Sequence, residues 1–441
     1  MAAQLLLGLS ILVGLHELGH LLTAKLFGMR VEQYYIGFPP KIVGFRYGET
    51  EYNLGAIPLG GFVKISGMVD ESLDTKDLSE EPQPWEFRSK PAWQRLIVMM
   101  GGIIVNVITG IIIFVILTYR YGDTYVPREA VLENGIVAYD LGQEIGLQTG
   151  DKITEVNGSS YEKFSDLFSP NVLLSDNGYY SVERNGESVT VPIPRGFLDK
   201  FSEKESADRF IDIRRPFAVG QVQEGSNAEK GGLQEGDRIL SINNQLIQYY
   251  DEFEAIKQAN KGKEITLKVA NASDDVESAV GTPRALKVKV AKDGILGFIP
   301  EWQFKIAQTD YTLAQSLPKG AEAAFEVVWI NIRAMGKIFS GDVSASKSIS
   351  GPIGIAQIFG GTWDWMRFWR ITGLLSMVLA FMNFLPIPAL DGGHVAFLTY
   401  EMVSGRKPSD KFLEGAQKVG MVLLLSLMVF AIFNDIFKVL F

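Results

Sequence analysis

The sequence predicts an α-helical membrane protein with four transmembrane helices, a membrane-associated β-hairpin and two inserted small, mostly-β domains. Three observations lead there. Of the 441 residues 47% are hydrophobic, several stretches run far without charge, and one central segment repeats itself at a fixed offset. The net charge of -9 argues against nucleic acid as a partner. With no cysteine there is neither disulfide nor thiolate ligand, so any metal must be held by His and carboxylate.

Taken in order, residues 2 to 27 are dominated by Leu, Ala and Ile, and nothing breaks a helix before Gly28. That length spans a bilayer. No basic side chain precedes the apolar run and no small-residue cleavage site precedes its charged cluster, so it reads as a span rather than a cleaved leader. Within it, "LVGLHELGHLLTAKLFG" (12 to 28) carries His16, Glu17 and His20. An ionisable group at bilayer depth costs roughly 2.5 to 3.5 kcal/mol, so these three are functional candidates by default.

"YNLGAIPLGGFVKISG", 52 to 67, combines glycines, a proline and β-formers suited to a hairpin, one edge of which is able to pair with an extended substrate; Gly60 and Gly61 lie in it. Leu96 to Tyr119, Ile371 to Leu390 and Val419 to Asn434 read as the remaining spans. Lys25, Arg30, Arg88, Lys90 and Arg95 border the first loop, and Arg406, Lys407 and Lys411 lie in the third. Positive charge retains both loops in the cytoplasm, which leaves the termini and the long central segment outside.

In that segment "GLQTGDKITEVNG" at 146 to 158 returns as "GLQEGDRILSINN" at 232 to 244, shifted by 86 residues. Two copies of a small domain follow, each with a Gly-Asp turn leading into a strand. The block resembles PDZ domains. "GILGFIP", 294 to 300, is similar to the carboxylate-binding loop of a circularly permuted second copy, with Gly297 and Phe298 as peptide-binding candidates. The expected divisions are 1–121 (two spans, loop and hairpin), 122–215 and 216–305 (the two small domains), 306–370 (an amphipathic membrane-surface linker containing "AEAAFEVVWINIRAMGKIF") and 371–441 (two spans). Trp363, Trp365 and Trp369 stand where an aromatic belt is expected.

His16 and His20 are one helical turn apart, so both imidazoles reach a single divalent cation, with Glu17 beside them. A catalytic zinc takes three protein ligands and an open position. "NFLPIPALDGGH", 383 to 394, supplies Asp391, a carboxylate that needs a cation partner at that depth, or alternatively His394, the third histidine of the chain.

HELGH, "YYIGFPP", the paired PDZ-like block, "SGPIGIAQIF" and "NFLPIPALDGG", in that order, resemble the site-2 protease family of intramembrane zinc metalloproteases, and within it the bacterial sigma-E-regulating branch. The resemblance implies zinc ligands His16, His20 and Asp391, Glu17 as catalytic base, and Asn383 as a substrate-engaging asparagine. It implies a bacterial inner-membrane, multi-pass protein with PDZ domains on the periplasmic side. Its partners would be the bilayer and single-span substrates, an anti-sigma factor after a first cut and remnant signal peptides. Span two departs from the family by reading "GGIIVN" at 101 to 106, without the Pro that usually follows the second Gly, although Asn106 is present. That departure bears on local helix geometry rather than chemistry. Other readings are a membrane-anchored PDZ adaptor with a structural metal and, last, a metal transporter.

Overall fold

A computed structural model describes residues 1–68, 81–197, 200, 210–271, 283–344 and 351–440. Ser350 of "SGPIGIAQIF" and Phe441 of the last expected domain lie outside them. The chain forms two units, Met1–Gly122 with Asp310–Phe441, and Asp123–Thr309.

In the first unit the opening apolar run is one helix, α1 (Ala2–Leu26), which stops before Gly28 at φ +63°. Two long strands follow, β1 (Val31–Tyr47) and β2 (Thr50–Ile65). They pair more than once. Residues 31–36 lie between 61–65 and 51–54, while 43–47 close back on 50–54 around Gly48. The hairpin expected at 52–67 is thus half of a larger folded ribbon whose partner strand begins right after α1. Val31, Val63 and Ile65 anchor it against Leu21 and Ala24 of α1.

Helix α2 (Ala92–Tyr121) begins after Pro91 and runs unbroken to Gly122. The missing proline leaves it regular, with Ile103 in the helix. It crosses α1 at glycines: a Cβ on Gly19 would lie 2.2 Å from the Gly101 carbonyl oxygen. Only small residues permit that approach.

Helix α3 (Leu313–Ser340) starts with a Thr312/Gln315 capping box and ends at Gly341 in the left-handed region. Its buried Ser316, Gly320 and Ala324 recur every fourth residue, and a Cβ on Gly320 would lie 2.5 Å from the Val115 nitrogen of α2. After α4 (Pro352–Ile358) comes α5 (Trp365–Phe384), capped by the Asp364 carboxylate. The third apolar stretch, expected to be helical to Leu390, stops at Phe384 because Pro386 and Pro388 supply no N–H and turn the preceding residues away from helix. A new helix, α6 (Asp391–Ser404), then begins at Asp391 itself, and α7 (Asp410–Leu440) closes the chain.

Among the described residues three helices are long and apolar enough to cross a membrane: α1, α2 and Lys411–Phe437 within α7. The remaining expected span, Ile371 to Leu390, corresponds to α5, which carries Arg367 and Arg370 in its first two turns.

In the second unit both copies of the repeat build the same turn. Asp151 and Asp237, each almost fully buried, accept the backbone N–H of Gln148 at 2.8 Å and of Gln234 at 2.9 Å. Each also pairs with an arginine, Asp151 with Nε and Nη2 of Arg184 and Asp237 with Nη2 of Arg284. Asn157 and Asn243 adopt positive φ and cap the neighbouring strand at Tyr179 and Thr266. Each copy packs a small antiparallel sheet: Lys152–Val156, Tyr179–Arg184 and Glu187–Pro192 in one, and Gln245–Leu246, Asp237–Ile242, Glu264–Asn271 and Arg284–Lys289 in the other. The cores are separate, one around Ile153, Tyr180 and Val182, the other around Ile239, Leu267 and Val269.

Candidate active site

A cavity of about 650 Å³ opens in the first unit, walled by α1, the ribbon, α2, the segment 383–394 and α7. His16 and His20 face it from α1 because four residues make one turn. Asp391 faces them from the first position of α6. Its place is set by glycines: a Cβ on Gly392 would lie 2.1 Å from the Leu385 carbonyl oxygen, and on Gly393 2.7 Å from that of Ile387. The segment folds tightly enough to aim the carboxylate inward only because both positions lack side chains.

The two Nε2 atoms are 3.2 Å apart, and Asp391 Oδ2 lies 3.1 Å from that of His16 and 3.3 Å from that of His20. His20 Nδ1 lies 2.8 Å from the Val98 carbonyl oxygen, an acceptor only, so this ring carries a proton on Nδ1 and turns Nε2 toward Asp391. Asp391 Oδ2 is buried, and the two ring nitrogens are its polar neighbours. Three atoms that can each give an electron pair to one cation therefore converge. Tetrahedral zinc with bonds of about 2.0–2.1 Å spaces its ligands roughly 3.3 Å apart, which matches these separations. The side chains are 12% (His16), 7% (His20) and 16% (Asp391) exposed, so the centre is screened from bulk water.

Glu17 lines the same cavity and accepts the backbone N–H of Val63. That bond puts the carboxylate on the outer edge of residues 61–65, whose other edge is already paired with 31–36. Gly60 and Gly61 are in the cavity wall, and Gly61 packs so close to α1 that a Cβ would lie 3.0 Å from Val13 Cγ1. Asn383 Nδ2 reaches to 3.4 Å from His16 Nε2.

His394 also lines the cavity, but its Nε2 is 3.0 Å from Gln417 Nε2 of α7 and it stands outside the three-residue cluster. The geometry therefore joins Asp391, not His394, to the two α1 histidines. Gly297 and Phe298 belong to the second unit, where Phe298–Trp302 pairs on one side with Phe217–Val222.

A family model described as Peptidase family M50 matches residues 4–427. The chain belongs to Peptidase family M50. It is a site-2 type metallopeptidase of a zinc-dependent family. Similar M50 relatives include the regulator of sigma E protease of Haemophilus influenzae, 29% identical over 455 residues and covering 98% of each chain. A Vibrio cholerae protein named as a zinc metalloprotease is 30% identical over 458 residues, covering 98% of this chain and 97% of its own. The regulator of sigma-E protease RseP of Salmonella typhimurium is 26% identical over 453 residues, again 98% and 97%. M50 proteins are membrane proteins, and α1, α2 and α7 suit that setting.

Sequence reasoning missed how much of this M50 site rests on α2. Val98 holds His20 through a backbone carbonyl, which has no side-chain signature. Gly102 lies against both rings: a Cβ there would be 2.5 Å from His16 Cε1 and from His20 Nε2. The spacing of Gly102 and Asn106, one turn apart in a span, was the available signal.

Proposed function

We propose that this chain is an intramembrane zinc endopeptidase that cuts single-span membrane proteins within their transmembrane segment. The observation that carries the reading is the convergence of His16 Nε2, His20 Nε2 and Asp391 Oδ2 at 3.1–3.3 Å inside apolar helices, with Glu17 beside them. In this reading those three hold zinc. Bound zinc supplies a Lewis acid that acidifies a water and polarises the scissile carbonyl.

Glu17 takes the proton of the attacking water and passes it to the leaving amine nitrogen, with the Val63 N–H fixing its carboxylate. Asn383, whose Nδ2 points into the cavity beside His16, donates to the carbonyl oxygen as charge builds there. A helical substrate hides its carbonyls in its own hydrogen bonds, so it must be unwound and its freed groups paired. The outer edge of residues 61–65, with Gly60 and Gly61 leaving room beside it, accepts the extended segment as an added strand. Aligned this way, the substrate backbone lies against Glu17.

We take α5 as the fourth span. The two copies in the second unit are read as PDZ domains on the periplasmic face of a bacterial inner membrane. In the second copy the strand Phe298–Trp302 follows Gly297 (φ +96°) and offers to a peptide the edge that pairs with no strand among the described residues. The sigma-E names of relatives support an anti-sigma membrane protein as substrate, and remnant signal peptides as a second class.

The test is cleavage of a labelled single-span peptide by the purified protein in detergent, with the products mapped by mass spectrometry. A zinc-dependent cut inside the apolar segment is expected. Cuts confined to the polar flanks, or none with zinc bound, would overturn the proposal.

A further inference from the structure

We propose that Asn106 is a positioning residue for the metal centre. Its carboxamide oxygen accepts the Nδ1 proton of His16 when metal is held, and its carboxamide nitrogen donates to the same atom when it is not. The inference rests on the zinc reading above.

Residues 98, 102 and 106 lie four apart along one face of α2. Each serves the histidine pair differently. Val98 gives a carbonyl to His20 Nδ1, Gly102 gives clearance to both rings, and Asn106 Nδ2 stands 3.2 Å from His16 Nδ1. The Asn106 side chain is 1% exposed, and its own backbone carbonyl is held by the Ser376 hydroxyl at 2.8 Å, so it has little freedom beyond rotation of the carboxamide.

With the nitrogen turned to the ring, His16 Nδ1 acts as acceptor and its Nε2–H points at Asp391 Oδ2, 3.1 Å away. Asn106 Oδ1 is then buried without a partner among the described residues. Once Nε2 gives its lone pair to a cation, the ring proton must sit on Nδ1. Two donors would then face each other unless the carboxamide turns over, which places Oδ1 on the Nδ1 proton. Asparagine serves both states because it is donor and acceptor at once. Aspartate serves only the loaded state, and leucine neither. His20 needs no such switch, since a backbone carbonyl holds one tautomer throughout.

The experiment measures the zinc dissociation constant by chelator competition for the full chain in detergent, in wild type, Asn106→Leu and Asn106→Asp. Loss of an outer partner to a ligating histidine typically weakens metal binding about 10–100-fold, and that loss is expected for Asn106→Leu. Asn106→Asp is expected to bind at least as tightly as wild type. In parallel, ¹⁵N-histidine NMR reads the tautomers directly, since the chain has 3 histidines. Zinc-loaded wild type should carry the His16 proton on Nδ1, and this signal needs no variant to fold. Wild-type affinity in Asn106→Leu, equal weakening in both variants, or a His16 proton on Nε2 in the loaded protein would each overturn the inference while leaving the zinc reading intact. A wild-type protein that binds no zinc would overturn both.

Discussion

Replacing Gly102 by Ala tests how closely α2 is fitted to the metal ligands. The added Cβ would lie 2.5 Å from His16 Cε1, 2.5 Å from His20 Nε2 and 2.7 Å from His16 Nδ1, where ordinary contacts begin at 3.4 Å. Each ring must recede by roughly 1 Å, several times the ~0.2 Å that a ligand distance tolerates. Neither ring moves freely: His20 is tied to Val98 and His16 abuts Asn106. Backbone retreat is blocked by the Gly19–Gly101 contact. Zinc affinity should fall at least ~100-fold, about 2.7 kcal/mol. Chelator competition on detergent-solubilised protein measures it. The control is Gly336→Ala on α3, where nothing stands within 4 Å of the new Cβ; this change should leave zinc binding unaltered and gain up to ~1 kcal/mol of helix stability. Unchanged zinc affinity in Gly102→Ala would refute the reasoning.

Asp435 of α7, 3% exposed, accepts the backbone N–H groups of Gly351, Ile353 and Gly354 at 2.9 Å each, so Asp435→Ala should destabilise the protein by about 2–4 kcal/mol without changing zinc affinity; an unaltered thermal midpoint would contradict this. Asp237→Ala strands the Gln234 N–H and the Arg284 guanidinium, and hydrogen exchange at 237–270 and 284–289 should speed up as if that domain had lost about 2–4 kcal/mol, while protection at 152–192 stays constant. Burial raises the Glu252 carboxyl, but the N–H groups of Gln248 and Tyr249 and the Arg214 guanidinium outweigh it, leaving it below the ordinary carboxylate range. Its folded pKa being depressed, its contribution is complete above the unfolded value and lost as pH falls through the folded one. Acid melts of Glu252→Gln should therefore be flatter than wild type as pH falls below the ordinary carboxylate range, and identical profiles would count against it.

Much of the site was legible because ionisable residues stand out in apolar helices. His16 and His20 announced a shared face by their spacing, and Asp391 was conspicuous as an unpaired carboxylate beside a span. The repeat was legible too, since the Gly-Asp and Asn positions that recur at 86 residues do the same local work in both copies. What stayed hidden was carried by backbone. The Val98 carbonyl and the Val63 N–H belong to residues whose side chains say nothing about either bond. The double pairing of 31–36 depends on long-range register, which no local pattern sets. The early end of α5 was written in Pro386 and Pro388, but mean hydropathy hid it by running on to Leu390.

In the proposed mechanism Glu17 performs proton transfer beside a zinc held by His16, His20 and Asp391. Its most direct test is zinc content together with cleavage of a single-span peptide, comparing wild type with Glu17→Gln. Glu17→Gln is expected to retain stoichiometric zinc and to lose cleavage by several orders of magnitude. Cleavage at wild-type rate in Glu17→Gln would contradict it.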